Sequence, residues 1–246
     1  AETADAIRGA GGTADSFALD VTSRDACFAL AKEVAEEIGQ VSILVNNAGI
    51  TRRNAFTADT ETVAKDWNDI ISLNLNGVFN VTQAFLAPLR AARGRIVNIG
   101  SIQSFVHLRT PSSAAYTTSK HGVLGFTKAL AVELGKEGVR VNAIGPGFIE
   151  TNINANVRAT NPALVQAFVD HTPLARTGKP RSCTTMAGGL KRCTWSFADI
   201  PTEHERFAAQ PDPWIVAART YTSTHVLDDR VYEDGEGPTV PPEQLL

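Results

Sequence analysis

Apolar and polar positions along the chain fall into short apolar runs separated by stretches of helical period. Residues 16–20 (Ser-Phe-Ala-Leu-Asp) predict a strand. A helix follows to about Ile38, capped by Thr22 or Ser23, with Phe28, Ala31, Val34, Ala35 and Ile38 on its apolar face and Gly39 at its end. Residues 42–45 are a second apolar strand that runs into Asn46-Asn47-Ala48-Gly49. Residues 61–92 keep a helical pattern, first through Val63, Trp67, Ile70 and Ile71, then through Val78, Val81, Phe85 and Leu89. A strand at 95–100 comes next, and then a helix over 113–136. Its buried side is Val123, Leu124, Leu130, Ala131 and Leu134, and Gly138 suits its C-terminal cap. A last strand at 139–144 leads through a loop to a helix near 162–170. Gly9, Gly11 and Gly12 follow a helix-like opening and read as a connecting turn.

Strands apolar on both faces and alternating with helices predict an α/β fold whose parallel sheet is covered on each side. Ligands of such sheets sit beyond the carboxyl ends of the strands. Asp20, Asn47 to Gly49, Ser101 and the Pro146-Gly147 pair all fall at such ends, so the pattern predicts one shared site.

The 246 residues suit one domain with a sizeable core. A net charge of −3 gives no electrostatic reason to expect nucleic acid or an acidic membrane surface. No apolar run is long enough to span a bilayer, and the first residues lack the basic and apolar regions of a signal peptide. Cytoplasm is therefore the expected compartment. Cys27, Cys183 and Cys193 form neither a disulfide framework nor a paired zinc motif, and Cys27 reads as a small buried apolar residue. Cys183 and Cys193, even with His171, have the wrong spacing for common metal sites.

The chemistry is concentrated in Ser-Ala-Ala-Tyr-Thr-Thr-Ser-Lys at 113–120. Tyr116 and Lys120 are four apart and share a face if the segment is helical. A tyrosine is a poor base while its pKa is near 10, and a nearby cation favours its phenolate. Upstream lie Asn-Asn-Ala-Gly at 46–49, Asn-Leu-Asn-Gly-Val-Phe at 74–79 and Gly-Arg-Ile-Val-Asn-Ile-Gly-Ser at 94–101. Downstream is Val-Arg-Val-Asn-Ala-Ile-Gly-Pro-Gly at 139–147. In this order the segments resemble the short-chain dehydrogenase/reductase family, from about Gly9 to Pro180.

The resemblance implies a Rossmann-like, doubly wound parallel sheet flanked by helices. It implies an NAD- or NADP-dependent oxidoreductase that moves a hydride between nicotinamide and an alcohol or ketone, without a metal. By the same resemblance Tyr116 exchanges the proton at the substrate oxygen, and Lys120 lowers its pKa and binds the nicotinamide ribose. Ser101 hydrogen-bonds the substrate oxygen, and Asn74 holds a water linking the lysine to solvent. Asp20, followed by Val21, contacts adenine. Asn47, Ala48 and Gly49 line the adenine side, Pro146 and Gly147 shape the loop by the nicotinamide, and Thr151 bonds its carboxamide. Each has a plainer alternative: Asn74 satisfying backbone groups, Asp20 making a turn before a helix, Asn46 and Asn47 stiffening the sheet. The interval from Ser101 to Tyr116 is a couple of residues longer than the family's, predicting a bulge at 105–113 and making Ser104 a rival to Ser101. Ser101 is preferred because it ends a strand. A homodimer or homotetramer pairing the two long helices is implied by resemblance alone.

Both ends depart from the family pattern. No glycine-rich turn between a strand and a helix precedes Asp20, the first residue is Ala1, and the single methionine is Met186. The expectation is a chain that starts part-way through its family domain, incomplete at both ends, with a partial domain over 1–180 and an atypical tail over 181–246. That tail holds half of the 12 prolines and two of the three tryptophans. One lost nucleotide converts the family's Glu-Glu-Leu into Arg181-Ser182-Cys183, but the shift restores nothing beyond Cys183. A frame-shifted segment and a genuine, partly disordered tail are the two readings, and the gene sequence decides between them. A non-catalytic remnant unable to bind cofactor is the alternative function, and isomerisation or dehydration on the same domain is a third. Gln103, His107, Arg109, Asn152, Asn154 and Arg158 predict a polar mouth that favours a sugar, polyol or hydroxy acid over a steroid.

Overall fold

The computed structural model describes residues 2–105, 114–170, 172, 175–179, 184–185 and 191–192. The elements in chain order are α1 (Glu2–Gly9), α2 (Arg24–Glu37), β1 (Ile43–Asn46), α3 (Thr60–Ile71), α4 (Gly77–Ala84), α5 (Leu86–Ala91) and β2 (Arg95–Ile99). They continue with α6 (Ala114–Gly135), β3 (Arg140–Ile144), α7 (Ala155–Thr160) and α8 (Pro162–Asp170). Two short strands, β4 (Thr184–Thr185) and β5 (Lys191–Arg192), pair antiparallel.

β1, β2 and β3 form a parallel sheet in that order, in register through Val45, Val97 and Asn142. Two right-handed crossovers stepping the same way across a sheet place their helices on the same face. That face carries the main core. Ile96 and Val141 from the strands meet Phe85, Leu89 and Leu134 from the helices, with Leu30, Ala31 and Val34 of α2 packed against them. Leu89 and Ile96 are fully enclosed, each contributing about 1.5–3 kcal/mol of burial. On the opposite face Val45, Val97 and Asn142 keep part of their surface exposed, while Ile99 and Ile144 at the strand ends are buried. The parallel sheet flanked by helices is the α/β arrangement that the sequence pattern predicted.

Helix ends follow their local chemistry. Ser23 caps α2 by accepting from the Ala26 N–H, and Asp59 caps α3 through the Thr62 N–H. Gly138 takes a φ of 82° beyond α6, the left-handed conformation that glycine adopts without strain. The 61–92 stretch is one helical path interrupted twice. Residues Ser72–Asn76 form a π-helical turn. The path then breaks at Phe85 (φ −95°, ψ 5°), because Pro88 has no N–H to continue the ladder.

Two sequence expectations need correction. Residues 16–20 pair with no strand among the described residues, and an apolar run becomes a strand only where a neighbour completes its ladder. On the predicted apolar face of α2, Ala31, Val34 and Ile38 are partly buried but Phe28 and Ala35 are exposed, and Cys27 is buried as expected. Cys27 is 0% exposed, whereas Phe28 is 41% exposed and lies under the Arg24 guanidinium, 4.8 Å from its ring centroid. The bulge expected at 105–113 beyond Phe105, and His107, Arg109, His171, Cys183 and Cys193, lie outside the described residues. So does the tail from 181 onward, apart from β4 and β5.

Candidate active site

The carboxyl ends of the three strands and the first turns of α6 converge on one place. Tyr116 and Lys120 lie on the same side of α6, with the Lys120 ammonium 5.8 Å from the Tyr116 ring centroid. Lys120 is only 5% exposed, and its ammonium donates to the carbonyl of Ile99 at 2.7 Å. Burial, with no carboxylate partner among the described residues, lowers its pKa to about 8. Tyr116 is half-buried, and desolvation pushes its phenol above the ordinary 10. The hydrogen bond from Ser101 and the positive charge of Arg53 act the other way without overcoming it. Arg53, not Lys120, is thus the cation whose charge opposes the rise.

Ser101 follows the last residue of β2. Its Oγ accepts from the Gln103 N–H at 3.1 Å, which leaves its O–H to engage the phenol. The rival Ser104 is committed elsewhere. Its hydroxyl donates to the Lys120 carbonyl at 2.8 Å and accepts from the Ser101 N–H at 3.1 Å. Gly100 makes that approach feasible, since a Cβ there would stand 2.9 Å from the Ser104 Oγ and 3.1 Å from the Ile144 carbonyl.

Asn74, 0% exposed and inside the π turn, staples the loop after β1 to the helices. Its Oδ1 accepts from the Ile50 N–H at 2.8 Å, and its Nδ2 donates to the Ile50 carbonyl at 2.9 Å. The same Nδ2 reaches Ser119 at 3.2 Å, and the Ser119 hydroxyl donates to the Tyr116 carbonyl at 2.8 Å. The side chain of Asn74 therefore positions the loop and the tyrosine turn. Ser119 escaped the sequence reading, although its place between Tyr116 and Lys120 marked it as facing the same interior.

Asn46 stiffens the sheet through side chains rather than through backbone. Its Nδ2 donates to Thr82 (2.9 Å) and to Asn98 Oδ1 (2.8 Å), and Asn98 Nδ2 donates onward to Thr127 (2.9 Å). Asn47 and Ala48 are exposed at the strand end and Gly49 is half-buried. A Cβ at Gly49 would lie 3.5 Å from the Asn74 Oδ1 and 3.7 Å from the Lys120 Nζ, so the loop passes directly over the lysine.

The remaining predicted residues divide. Pro146 accepts from the Ile102 N–H at 2.6 Å, which ties the loop after β3 to the turn holding Ser101, and Gly147 faces open space. The Thr151 N–H donates to Asn154 Oδ1 at 3.2 Å. Asp20 is exposed, and its Oδ1 accepts from the Thr22 N–H (2.9 Å) and hydroxyl (2.7 Å), the turn before a helix. Those bonds hold its carboxyl below the ordinary range. The carbonyl of Val21 accepts from Asn80 at 3.1 Å, which pins the segment to α4. Asn154 and Arg158 bond each other at 3.1 Å, so these two polar groups brace α7 rather than line a mouth. Among the described residues no cluster of His, Cys, Asp or Glu could hold a metal ion, and no helix is long and apolar enough to cross a membrane.

The model of the short chain dehydrogenase family matches residues 1–162. The chain belongs to the short-chain dehydrogenase family. It is 38% identical to a 3-oxoacyl-acyl-carrier-protein reductase of Vibrio cholerae over 181 residues, covering 73% of this chain and 71% of that protein. It is 41% identical to nodulation protein G of Azospirillum brasilense, covering 65% of this chain and 63% of that one. Among solved structures it matches a gluconate 5-dehydrogenase from Burkholderia cenocepacia in complex with NADP and tartrate. That match has a TM-score of 0.66 and 33% identity over 72% of this chain and 68% of that one. The chain thus spans about two thirds of the length of these relatives.

Proposed function

We propose that this chain carries the proton-transfer half of an NAD(P)-dependent oxidoreductase acting on an alcohol or ketone, with Tyr116 as acid and base. The observation that carries the reading is the hydrogen-bonded Ser101–Tyr116 pair beside a buried Lys120 that has no carboxylate partner among the described residues.

Lys120 fits the ribose end of a nicotinamide nucleotide. One bond to Ile99 leaves two of its three N–H donors for a diol, and Gly49 and Gly147 keep the adjoining strand ends clear of side chains. Lys120, Asn47, Ala48, Gly49, Pro146, Gly147 and Thr151 would hold that nucleotide, with Asp20 and Val21 toward adenine. When bound, the nicotinamide exchanges a hydride with the substrate carbon.

The chain's own residues manage the oxygen. Burial keeps Tyr116 protonated at neutral pH, so it enters carbonyl reduction as the acid. Its proton passes to the substrate oxygen as the C–O π bond is lost, and the phenolate left behind is stabilised by Ser101 and Arg53. The single Ser101 proton serves one acceptor at a time, turning to the substrate oxygen as charge develops there and to the phenolate once the product hydroxyl has formed. Lys120, with a pKa of about 8, can return a proton to the phenolate. Alcohol oxidation runs the same steps in reverse. Asn74 and Ser119 hold the tyrosine turn and the loop after β1 in place.

The decisive test is fluorescence titration with NADH and NADPH, followed by turnover of a panel of ketones by the wild type and Tyr116→Phe. Cofactor binding by both proteins, with turnover only in the wild type, supports the reading. Absence of binding by either nucleotide favours a remnant that keeps the proton site without the cofactor.

A further inference from the structure

Arg53 lies in the loop after β1, and the proton-transfer scheme uses its positive charge but not its hydrogen-bonding fork. Its Nε is enclosed and has no hydrogen-bond partner. Its Cζ lies 5.8 Å from the centroid of the Phe168 ring of α8. Phe168 packs on Phe148 at 4.7 Å and on Leu164, so this side of the guanidinium faces an apolar wall. Its charge also reaches the Tyr116 phenol. The nearby carboxylates are engaged elsewhere: Asp69 with Lys65 at 2.6 Å and Arg52 at 3.9 Å, Asp66 with Asn54 at 2.9 Å. No described carboxylate pairs with Arg53.

A half-buried guanidinium with an enclosed, unpaired donor is unfavourable unless something else completes it. Its planar fork matches a carboxylate, and an apolar surround strengthens that pairing. We propose that Arg53 is a specificity-determining residue that receives the carboxylate of a small hydroxy acid or oxo acid, whose reacting carbon sits at Ser101 and Tyr116. This deepens the oxidoreductase reading and rests on it for the reacting carbon, while acid recognition itself can be measured without turnover. A neutral alcohol or a thioester would leave the guanidinium unanswered.

The test is calorimetric titration of the whole chain, alone and with saturating NADP. The ligands are three- to six-carbon aldonates, each compared with the alditol of the same skeleton, in which a CH2OH replaces the carboxylate. At least one aldonate should bind the wild type about tenfold or more tightly than its alditol, which is one or more units of 1.4 kcal/mol. Arg53→Met should reduce that ratio to about threefold or less, and Arg53→Lys should keep part of it, with NADPH affinity unchanged in both. A panel in which no aldonate outbinds its alditol, including one in which neither binds, overturns the proposal, and this arm needs no variant. A preference that survives Arg53→Met overturns it as well. Acid preference without turnover of any member sinks the oxidoreductase reading and leaves Arg53 as proposed. Turnover of neutral ketones without acid preference does the opposite.

Discussion

The ammonium of Lys120 donates to the carbonyl of Ile99 at 2.7 Å, at the last residue of β2, rather than to the tyrosine one turn before it. The strand end thereby fixes the lysine while the surrounding protein removes its water. The result is a cation with no counter-charge among the described residues, and its pKa falls from 10.5 to about 8.

That shift has a signed consequence for stability. Between pH 8 and 10.5 the unfolded chain still binds the lysine proton while the folded chain has released it, so stability rises with pH across this window. Below pH 8 the full penalty of burying the charge is present. Urea denaturation should show Lys120→Met more stable than the wild type at pH 7 by about 2–3 kcal/mol, with the difference closing as pH approaches 10.5. A difference that does not change with pH would mean the ammonium is not desolvated as the structure indicates.

Tyr116 predicts opposite pH dependences for the two directions of reaction. With its phenol raised above 10 by burial, the acid form dominates at neutral pH. Ketone reduction should be flat through neutrality and fall only as the phenol ionises. Alcohol oxidation should climb about tenfold per pH unit toward that same point. Steady-state rates measured in both directions from pH 6 to 10 check this. A reduction rate that falls already between pH 6 and 8 would assign the proton to another group.

Ser101 and Ser104 are three residues apart and should separate cleanly. Ser104→Ala removes the partner of the Lys120 carbonyl and of the Ser101 N–H, both buried, and should cost about 1–3 kcal/mol in thermal or urea unfolding. Ser101→Ala leaves those bonds intact but orphans the buried Gln103 N–H, so it should lower turnover about 100-fold at a cost of about 1 kcal/mol in stability, for one lost partner rather than two. The converse pattern, with turnover lost in Ser104→Ala at unchanged stability, would exchange the two roles.

Much of this was legible in the chain because it is local. Helices α2, α6 and α8 and strands β1, β2 and β3 follow from periodicity and from caps within a few residues. The facing of Tyr116 and Lys120 follows from helical spacing alone. Residues 16–20 did not become a strand because strand formation depends on a neighbour, which no property of those five residues reveals. Cys27 is buried as expected, but Phe28 turns outward because a narrow apolar stripe leaves the residues at its edge undetermined. The acidifying cation is Arg53, which is 63 residues from Tyr116 in sequence and meets it only through tertiary packing. The pair Arg52-Arg53 carries no local signal of which arginine is enclosed, because that depends on α8 packing against the loop.

The buried amides of Asn46 and Asn98 provide a test of how the sheet is tied to its helices. Asn98 accepts from Asn46 and donates to Thr127, which donates in turn to the Val123 carbonyl at 2.7 Å. A ladder running from β1 through β2 to α6 fixes strand register against the helix that carries Tyr116. Replacing either asparagine with leucine strands the polar group of the other in a dry interior, and each single change should cost about 2–3 kcal/mol. Replacing both removes the mismatch. The double variant should therefore lose at least about 1 kcal/mol less than the sum of the singles in urea unfolding. Additive losses would show that water reaches these amides and satisfies whichever one remains.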